Sequence, residues 1–417
     1  MAETKTPASK RASRPMLVAF VTVLLDLLGF GIIIPIQPFY AEHLGASPTL
    51  VTLLGASYSL MQFLFAPMWG RLSDRIGRRP VMLTSISIGI VGYVIFGAAG
   101  SLGVLFASRM LAGFGAANIG AAQAIVADTT SGADRAKGMG LIGAAFGIGF
   151  IIGPAMGGLL GQLGPEAPAY GAAILGAMNL LLAIRYLPET RQPGARAPAH
   201  GRRSIISFRA IGDIAGRVNV GRLLLIVLVS VTGMALMEQA LPLFIERIFV
   251  PIADYAMGSP DAHARAAALT AYVLVAVGVT ATVVQGGLIG RLTKRYGERT
   301  LIRVGSFFMA VSLALMPLAG SADSFAGLIG CGVLLAIGSG MLNPSLNSFL
   351  SRSVSSDVQG AALGLSQSLS ALGRTVGPAF SGLLFEAGRD IPFYAAGGTL
   401  LLAVVIALGL KKLIEAD

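Results

Sequence analysis

Apolar residues come in blocks of about twenty along this chain, separated by short polar or glycine-rich segments, and that block length suffices to cross roughly 30 Å of hydrocarbon as a helix. Twelve such spans are predicted, near 16–38, 50–70, 80–99, 102–126, 138–162, 168–187, 222–245, 267–289, 300–319, 323–345, 360–385 and 391–410. All twelve are expected to be helices, because lipid offers backbone N–H and C=O groups no outside partner.

Composition turns this pattern into a class. Of 417 residues 54% are apolar and only 12% charged, and mean hydropathy is +0.76, values that place the chain among all-α membrane proteins. The 55 glycines, with many Ala and Ser inside the spans, fit close helix packing with freedom to slide. Lys10, Arg11 and Arg14 precede the first apolar run as in a signal peptide. That run is too long, holds Asp26, lacks a small-residue cleavage site and leads into eleven more spans, so it reads as a retained helix.

Basic residues set the expected orientation. With both termini cytoplasmic, the cytoplasmic loops, tails and flanks hold 26 of the 31 Lys and Arg, whereas the opposite loops hold Arg247, Arg265 and Arg389. The net charge of +11 is therefore mainly a topology signal, and no nucleic-acid partner is expected. The single cysteine, Cys331, excludes an intramolecular disulfide framework.

The charged loops also repeat. "GRLSDRIGRRPV" at 70–81 returns as "GRLTKRYGERTL" at 290–301, keeping six of twelve letters and lying after the second and eighth spans. "GPAMGGLL" at 153–160 is echoed by "GPAFSGLL" at 377–384, Asn118 by Asn343, and "PFYAE" at 38–42 by "PLFIE" at 242–246. The last pair has an offset of 204 instead of 220, so sixteen residues are inserted around "FVPIADYAMGSPDAHARA" (249–266), expected as a solvated outer loop or a lid. The predicted organisation is a six-helix half at 1–187, a polar cytoplasmic linker at 188–221 and a second half at 222–417.

These motifs carry a resemblance. "GRLSDRIGRRPV" is similar to the cytoplasmic signature of the major facilitator superfamily, "RMLAGFGAA" (109–117) resembles its fourth-helix signature, and "GFIIGPAMGG" (149–158) resembles the fifth-helix motif of its antiporters. With "LLDLLGFGIIIPIQP" in span 1 and "VADTTSGADRAKGMG" after span 4, the likeness falls in the drug/proton antiporter branch, nearest to tetracycline/proton antiporters. It implies two pseudo-symmetric halves that rock around a mid-membrane site.

The resemblance implies a cytoplasmic latch of Gly70, Asp74, Arg75, Gly77, Arg78, Arg79 and Asp128, with Asp74 near the amino end of helix 11 and Arg78 reaching Asp128. From the residues themselves, Asp74 and Arg78 are four apart and can pair on a helix, and Gly70 and Gly77 permit tight packing. A basic turn serving topology alone is the other reading. In the second copy Lys294 and Glu298 replace Asp74 and Arg78, so an asymmetric latch with its own ion pair is expected.

Four ionisable residues fall inside the spans: Asp26, Glu238, Arg109 and Arg374. Asp26 lies near the bilayer centre, where a carboxylate in low dielectric holds its proton tightly and a neighbouring guanidinium loosens it. It is read as a proton carrier paired with Arg109, or as part of a permanent ion pair or hydrogen-bond network beside Gly29 and Gly31. Glu238, beside Gln239, suits a cationic substrate or a second proton, or pairs structurally with Arg374; Asn118 and Asn343 complete the expected cavity. Gly149, Gly153, Pro154, Gly157 and Gly158 are read as the antiporter seal or as simple small-residue packing.

The resembling antiporters carry acids in helices 3 and 9 and a histidine in helix 8; "SIGIVGYVIFG", "VGSFFMAVSLAL" and "VGVTATVVQGG" hold none, which argues against tetracycline as the substrate. An enzyme would need a catalytic or metal cluster, yet His43, His200 and His263 are expected in three separate loops, and a receptor would need longer tails. The sequence reading is a proton-coupled exporter of a small amphipathic or cationic molecule in the inner membrane, monomeric and without cofactor, metal or catalytic residues. An importer or lipid-handling facilitator on the same fold is the alternative.

Overall fold

The computed structural model describes residues 8–116, 118–129, 145, 148–149, 151–190, 218–250, 260–354 and 359–411. Most of the linker, the segment after span 4, the first part of span 5 and residues 251–259 lie outside these. In chain order the helices are α1 (Ala8–Ile33), α2 (Gln37–His43), α3 (Pro48–Ile76), α4 (Arg78–Gly97), α5 (Leu102–Gly115) and α6 (Asn118–Thr129). They continue with α7 (Ile151–Leu163), α8 (Ala167–Tyr186), α9 (Val218–Phe249), α10 (Pro260–Val283), α11 (Ile289–Tyr296), α12 (Glu298–Ser321), α13 (Phe325–Arg352), α14 (Gln359–Ala387) and α15 (Ile391–Leu408). There is no strand among the described residues.

Nine segments among the described residues are long and apolar enough to cross a membrane, and α1 with α2, bent by 41°, makes a tenth. The shorter α7 overlaps the second half of the fifth sequence span and α14 covers the eleventh, an arrangement consistent with twelve spans. The boundaries are readable in local chemistry. Ser47, Ser101 and Ser324 each accept from a backbone N–H in the first turn of the helix that follows. Pro35 lies in the break between α1 and α2, where a missing N–H costs the helix a bond. Large apolar side chains face outward, as lipid permits and water does not: Leu159 is 66% exposed, Leu181 67% and Val405 64%.

The repeated charged motif becomes the same turn twice. Gly77 separates α3 from α4 with φ 109°, and Gly297 separates α11 from α12 with φ 75°, a backbone region that L side chains rarely enter. One expectation is corrected here. The insertion is not an outer loop throughout: α9 runs to Phe249 and α10 begins at Pro260, so span 8 starts seven residues earlier than its hydropathy indicates. The polar residues Asp261, His263 and Arg265 hide this first turn from an apolar-run reading.

The packing repeats as well. Helix α1 packs on α8 as α9 packs on α15; α4 on α8 as α12 on α15; α4 on α5 as α12 on α13; and α3 on α5 as α10 on α13. Between the α1–α8 set and the α9–α15 set, the main seam is α3 against α14. The Thr49 N–H donates to Glu386 Oε1 at 3.1 Å and the Gly382 N–H to Thr52 Oγ1 at 3.0 Å. Arg247 Nη2 pairs with Glu42 Oε1 at 2.9 Å. Each of these cross-set bonds lies at the end of the bundle opposite Gly77 and Gly297.

Candidate substrate cavity

Between α1, α2, α3 and α5 on one side and α9 and α14 on the other lies a cavity of about 60 Å³. Arg109, Glu238, Gln239 and Arg374, all singled out from sequence, line it together. Ile34 also lines it, and so does the residue in the corresponding repeat position, Glu238, so one pseudo-symmetric pair puts an apolar group and an acid on opposite walls.

The electrostatics are unbalanced locally. Glu238 and Arg374 attract each other across the cavity, yet among the described residues neither has an ion-pair or hydrogen-bond partner. The permanent pair offered as one reading of Glu238 is therefore not closed in this structure. Arg374 is exposed, and the surface it exposes lines this cavity. Unpaired charges at this depth are costly and mark the place where a polar ligand, water or proton is handled.

Arg109 is 2% exposed and donates from Nη1 to Gln37 Oε1 at 3.3 Å. Its guanidinium sits 5.3 Å from the ring centroids of both Tyr58 and Phe96, a cation–π clamp that holds the charge where few polar partners reach. Asp26 is half-buried on α1 and does not line the cavity itself. Its charge and that of Arg109 both act on Tyr58 and Tyr93, so the four groups form one electrostatic neighbourhood. Tyr58, Ser59 and Gln37 were missed from sequence. Tyr58 and Ser59 are adjacent on α3 and Gln37 opens α2, and nothing in the local pattern marks any of the three as facing the cavity.

Asn343 is exposed on α13 and is not among the cavity-lining residues; the side chain of Asn118 lies outside the described residues. The antiporter-motif residues divide between two tasks. A Cβ on Gly149 would meet the Leu27 side chain at 2.7 Å and one on Gly153 the Cα of Gly31 at 2.7 Å, while Pro154 packs on Gly31. One on Gly157 would collide with the Ile32 carbonyl oxygen. Gly153, Pro154 and Gly157 seat α7 on α1 within one set, with Gly149 meeting α1 just before α7 begins, whereas Gly158 faces Ala271 of α10 across the seam. Gly157→Ala is expected to destabilise by about 1–3 kcal/mol, because backbone cannot yield as a side-chain tip does. Gly103→Ala, on an exposed face with open space, is expected to be neutral or slightly stabilising. Melting temperatures of the two variants in detergent decide it; an equal effect would refute the α1–α7 contact.

At the Gly77 end, Arg78 Nε pairs with Asp128 Oδ2 at 3.0 Å and Arg78 Nη1 with Asp74 Oδ1 at 2.7 Å. Glu189, unmarked in the sequence reading, accepts the Arg78 and Arg79 N–H groups at 3.0 and 3.2 Å and so caps α4, while Arg79 also donates to the Ile184 carbonyl at 2.7 Å. Arg75 is exposed. Gly70 does not pack tightly: an added Cβ would find open space there. The second copy is also corrected. Glu298 takes Ser348 and, at 3.4 Å, Arg352 as partners, not Lys294, which is exposed. The brace across each set is thus Arg–Asp in one and Glu–Arg in the other, with the sign of charge exchanged between helix start and helix end.

The histidines are not in three separate loops. His263 lies in the first turn of α10, so the eighth span does contain a histidine, although near its end, and His43 closes α2; His200 lies outside the described residues. His263 Nε2 stands 3.4 Å from Glu246 Oε1 and 3.9 Å from Glu42 Oε2.

A family model described as the Major Facilitator Superfamily matches residues 19–378, and again 248–416. The chain belongs to the Major Facilitator Superfamily. This family consists of transporters embedded in the lipid bilayer, not of enzymes, and the bundle above is its fold. The tetracycline resistance protein, class C, of Escherichia coli is 32% identical over 384 residues, 91% of this chain and 92% of that protein. Multidrug resistance protein 1 of Bacillus subtilis is 27% identical over 395 residues, 94% and 95% of the two chains. Among solved structures, the nucleoside transporter NupG superposes with a TM-score of 0.74 at 14% identity, covering 95% of this chain and 98% of that one. At that identity it is the major facilitator architecture alone that the two share.

Proposed function

We propose that this major facilitator protein exports a small amphipathic or cationic organic molecule in exchange for protons, by alternating access of its central cavity. The observation that carries the reading is the unpaired Glu238 and Arg374 inside a cavity walled by both helix sets. A site that had only to be stable would close that pair; one that must bind and release a ligand leaves it open. The tetracycline and multidrug resistance proteins to which the chain is similar over nine-tenths of its length support efflux as the direction.

In this reading residues 1–187 and 222–417 are the rocking halves, joined by a linker at 188–221, with both termini cytoplasmic in an inner membrane. The bonds from Thr49, Thr52 and Arg247 then hold the outer end shut, so the cavity faces inward. Asp74 and the Arg78–Asp128 brace belong to the opposite, cytoplasmic latch. Asp74→Asn is expected to slow transport roughly fivefold or more while leaving substrate affinity within about twofold, since it biases states without touching ligand. Transport rate and equilibrium binding on the same preparation check this, and an equal loss of both would refute the latch.

The direct test of the function is a panel of cationic, neutral and anionic compounds, with purified protein in proteoliposomes under an imposed pH step. Accumulation of a cation driven by the pH step is expected. Transport that ignores the pH step, or that carries only anions or lipids, would overturn the proposal.

A further inference from the structure

We infer that Glu42, Glu246 and His263 form a binding site for a divalent transition-metal cation of the zinc type, at the seam between the two helix sets and about two helical turns along α9 from the cavity residue Glu238. One ligand-capable atom from each of Glu42, Glu246 and His263 lies within 4.8 Å of the other two. The imidazole nitrogen is 3.4 Å from one carboxylate oxygen and 3.9 Å from the other. Tetrahedral zinc with bonds near 2.0–2.2 Å spaces its ligand atoms roughly 3.3–3.6 Å apart, so the Glu246–His263 gap already fits and the Glu42 carboxylate has to close in on both by a small side-chain shift.

The cluster is more than neighbouring acids. Glu246 is 4% exposed and His263 8%, and both Glu246 Oε1 and His263 Nε2 are buried without a hydrogen-bond partner. Two orphaned buried polar atoms aimed at one point are costly unless something sits between them. The surroundings are those of a supported metal site. Arg247 holds Glu42 Oε1 at 2.9 Å and Glu246 Oε2 at 3.0 Å, which turns the opposite oxygen of each carboxylate toward His263. The imidazole stacks on Phe39 with centroids 5.4 Å apart, fixing its plane. With both carboxylates ionised, they and the one guanidinium carry a formal charge of −1, which a cation relieves as the shared proton leaves. The imidazole selects zinc-like ions over magnesium or calcium, whose preferred ligands are all oxygen.

The ligands come from both sets, Glu42 from α2 and the other two from α9 and α10. A bound ion therefore staples the seam beside the Arg247–Glu42 pair and opposes any separation of the helix sets at this end.

The test uses tag-free, chelator-stripped full-length protein in detergent, titrated with zinc chloride by calorimetry, with His263→Gln and Glu42→Gln as variants. One zinc per chain at micromolar affinity is expected for the wild type, at least tenfold weaker in each variant, with magnesium at millimolar concentration failing to compete. Size-exclusion profiles without metal establish that each variant is folded, and two ligands on different helices keep the test open should one variant misfold. In parallel, zinc is expected to raise the melting temperature of the wild type and not of the folded variants. Absence of saturable zinc binding, or less than a tenfold loss in either folded variant, overturns the site; the first outcome would mean that the two carboxylates share a proton instead. The readout is binding, so it stands or falls independently of the transported substrate.

Discussion

Asp26→Asn is expected to abolish pH-driven uphill export while leaving substrate free to equilibrate down its own gradient. Antiport requires proton and substrate to compete, directly or through the conformational equilibrium, so the coupling group must change charge during the cycle. Asp26 is half-buried on α1 and acts on the same two tyrosines, Tyr58 and Tyr93, as the cavity residue Arg109. A movement of α1 relative to α5 changes the Asp26–Arg109 separation, and with it the affinity of the carboxylate for a proton. Asparagine resembles the protonated acid in shape and neutrality, so the protein is fixed in one protonation state without losing its packing. In proteoliposomes the pH-driven concentration ratio is expected to fall to about one, and the downhill rate to stay within roughly threefold of wild type. A variant that still concentrates substrate when only the pH step is supplied would transfer the coupling role to Glu238.

For Glu238→Gln the expected result is selectivity lost by charge. The Glu238 carboxylate faces the cavity without a paired cation, and Arg374, its nearest opposite charge, attracts it without closing on it. A cationic ligand entering between them gains the carboxylate attraction, and a neutral ligand of the same shape does not. Removing the charge is expected to weaken cationic ligands about tenfold, or about 1.4 kcal/mol, and neutral analogues less than about twofold. Arg374→Gln should move in the opposite direction and tighten cations, because the repulsive partner is lost while Glu238 remains. Equilibrium binding of a matched cationic and neutral pair to all three proteins measures both signs. Equal weakening of the two ligands by Glu238→Gln would remove this residue from the recognition surface.

Much of this architecture was legible in the residues. Apolar block length named the helices, since a spanning segment must satisfy its backbone internally, and the repeat of "GRLSDRIGRRPV" located the two equivalent turns that Gly77 and Gly297 make. Arg109, Glu238 and Arg374 stood out because ionisable groups are expensive in such spans, and they do share one cavity. Tyr58 and Gln37 were not legible: a lone tyrosine in the apolar α3, or a glutamine opening the seven-residue α2, carries no periodic signal of which way it points. The first turn of α10 was missed for the opposite reason, since Asp261, His263 and Arg265 interrupt the apolar run although the backbone is helical.

By itself the sequence determined the fold, the duplicated plan and three of the charges that line the cavity, because hydrophobic length and the cost of charge in lipid act residue by residue. Only the tertiary structure decided which charges meet. It left Glu238 and Arg374 apart, gave Glu298 to Arg352 instead of Lys294, and brought His263 beside Glu246 and beside Glu42, 221 residues away in the chain. Those pairings depend on the approach of helices distant in sequence, set by close backbone contacts such as Gly157 on Ile32 and Gly382 on Thr49. No local pattern encodes the resulting distance between two side chains, and at these sites it is that distance that sets the chemistry.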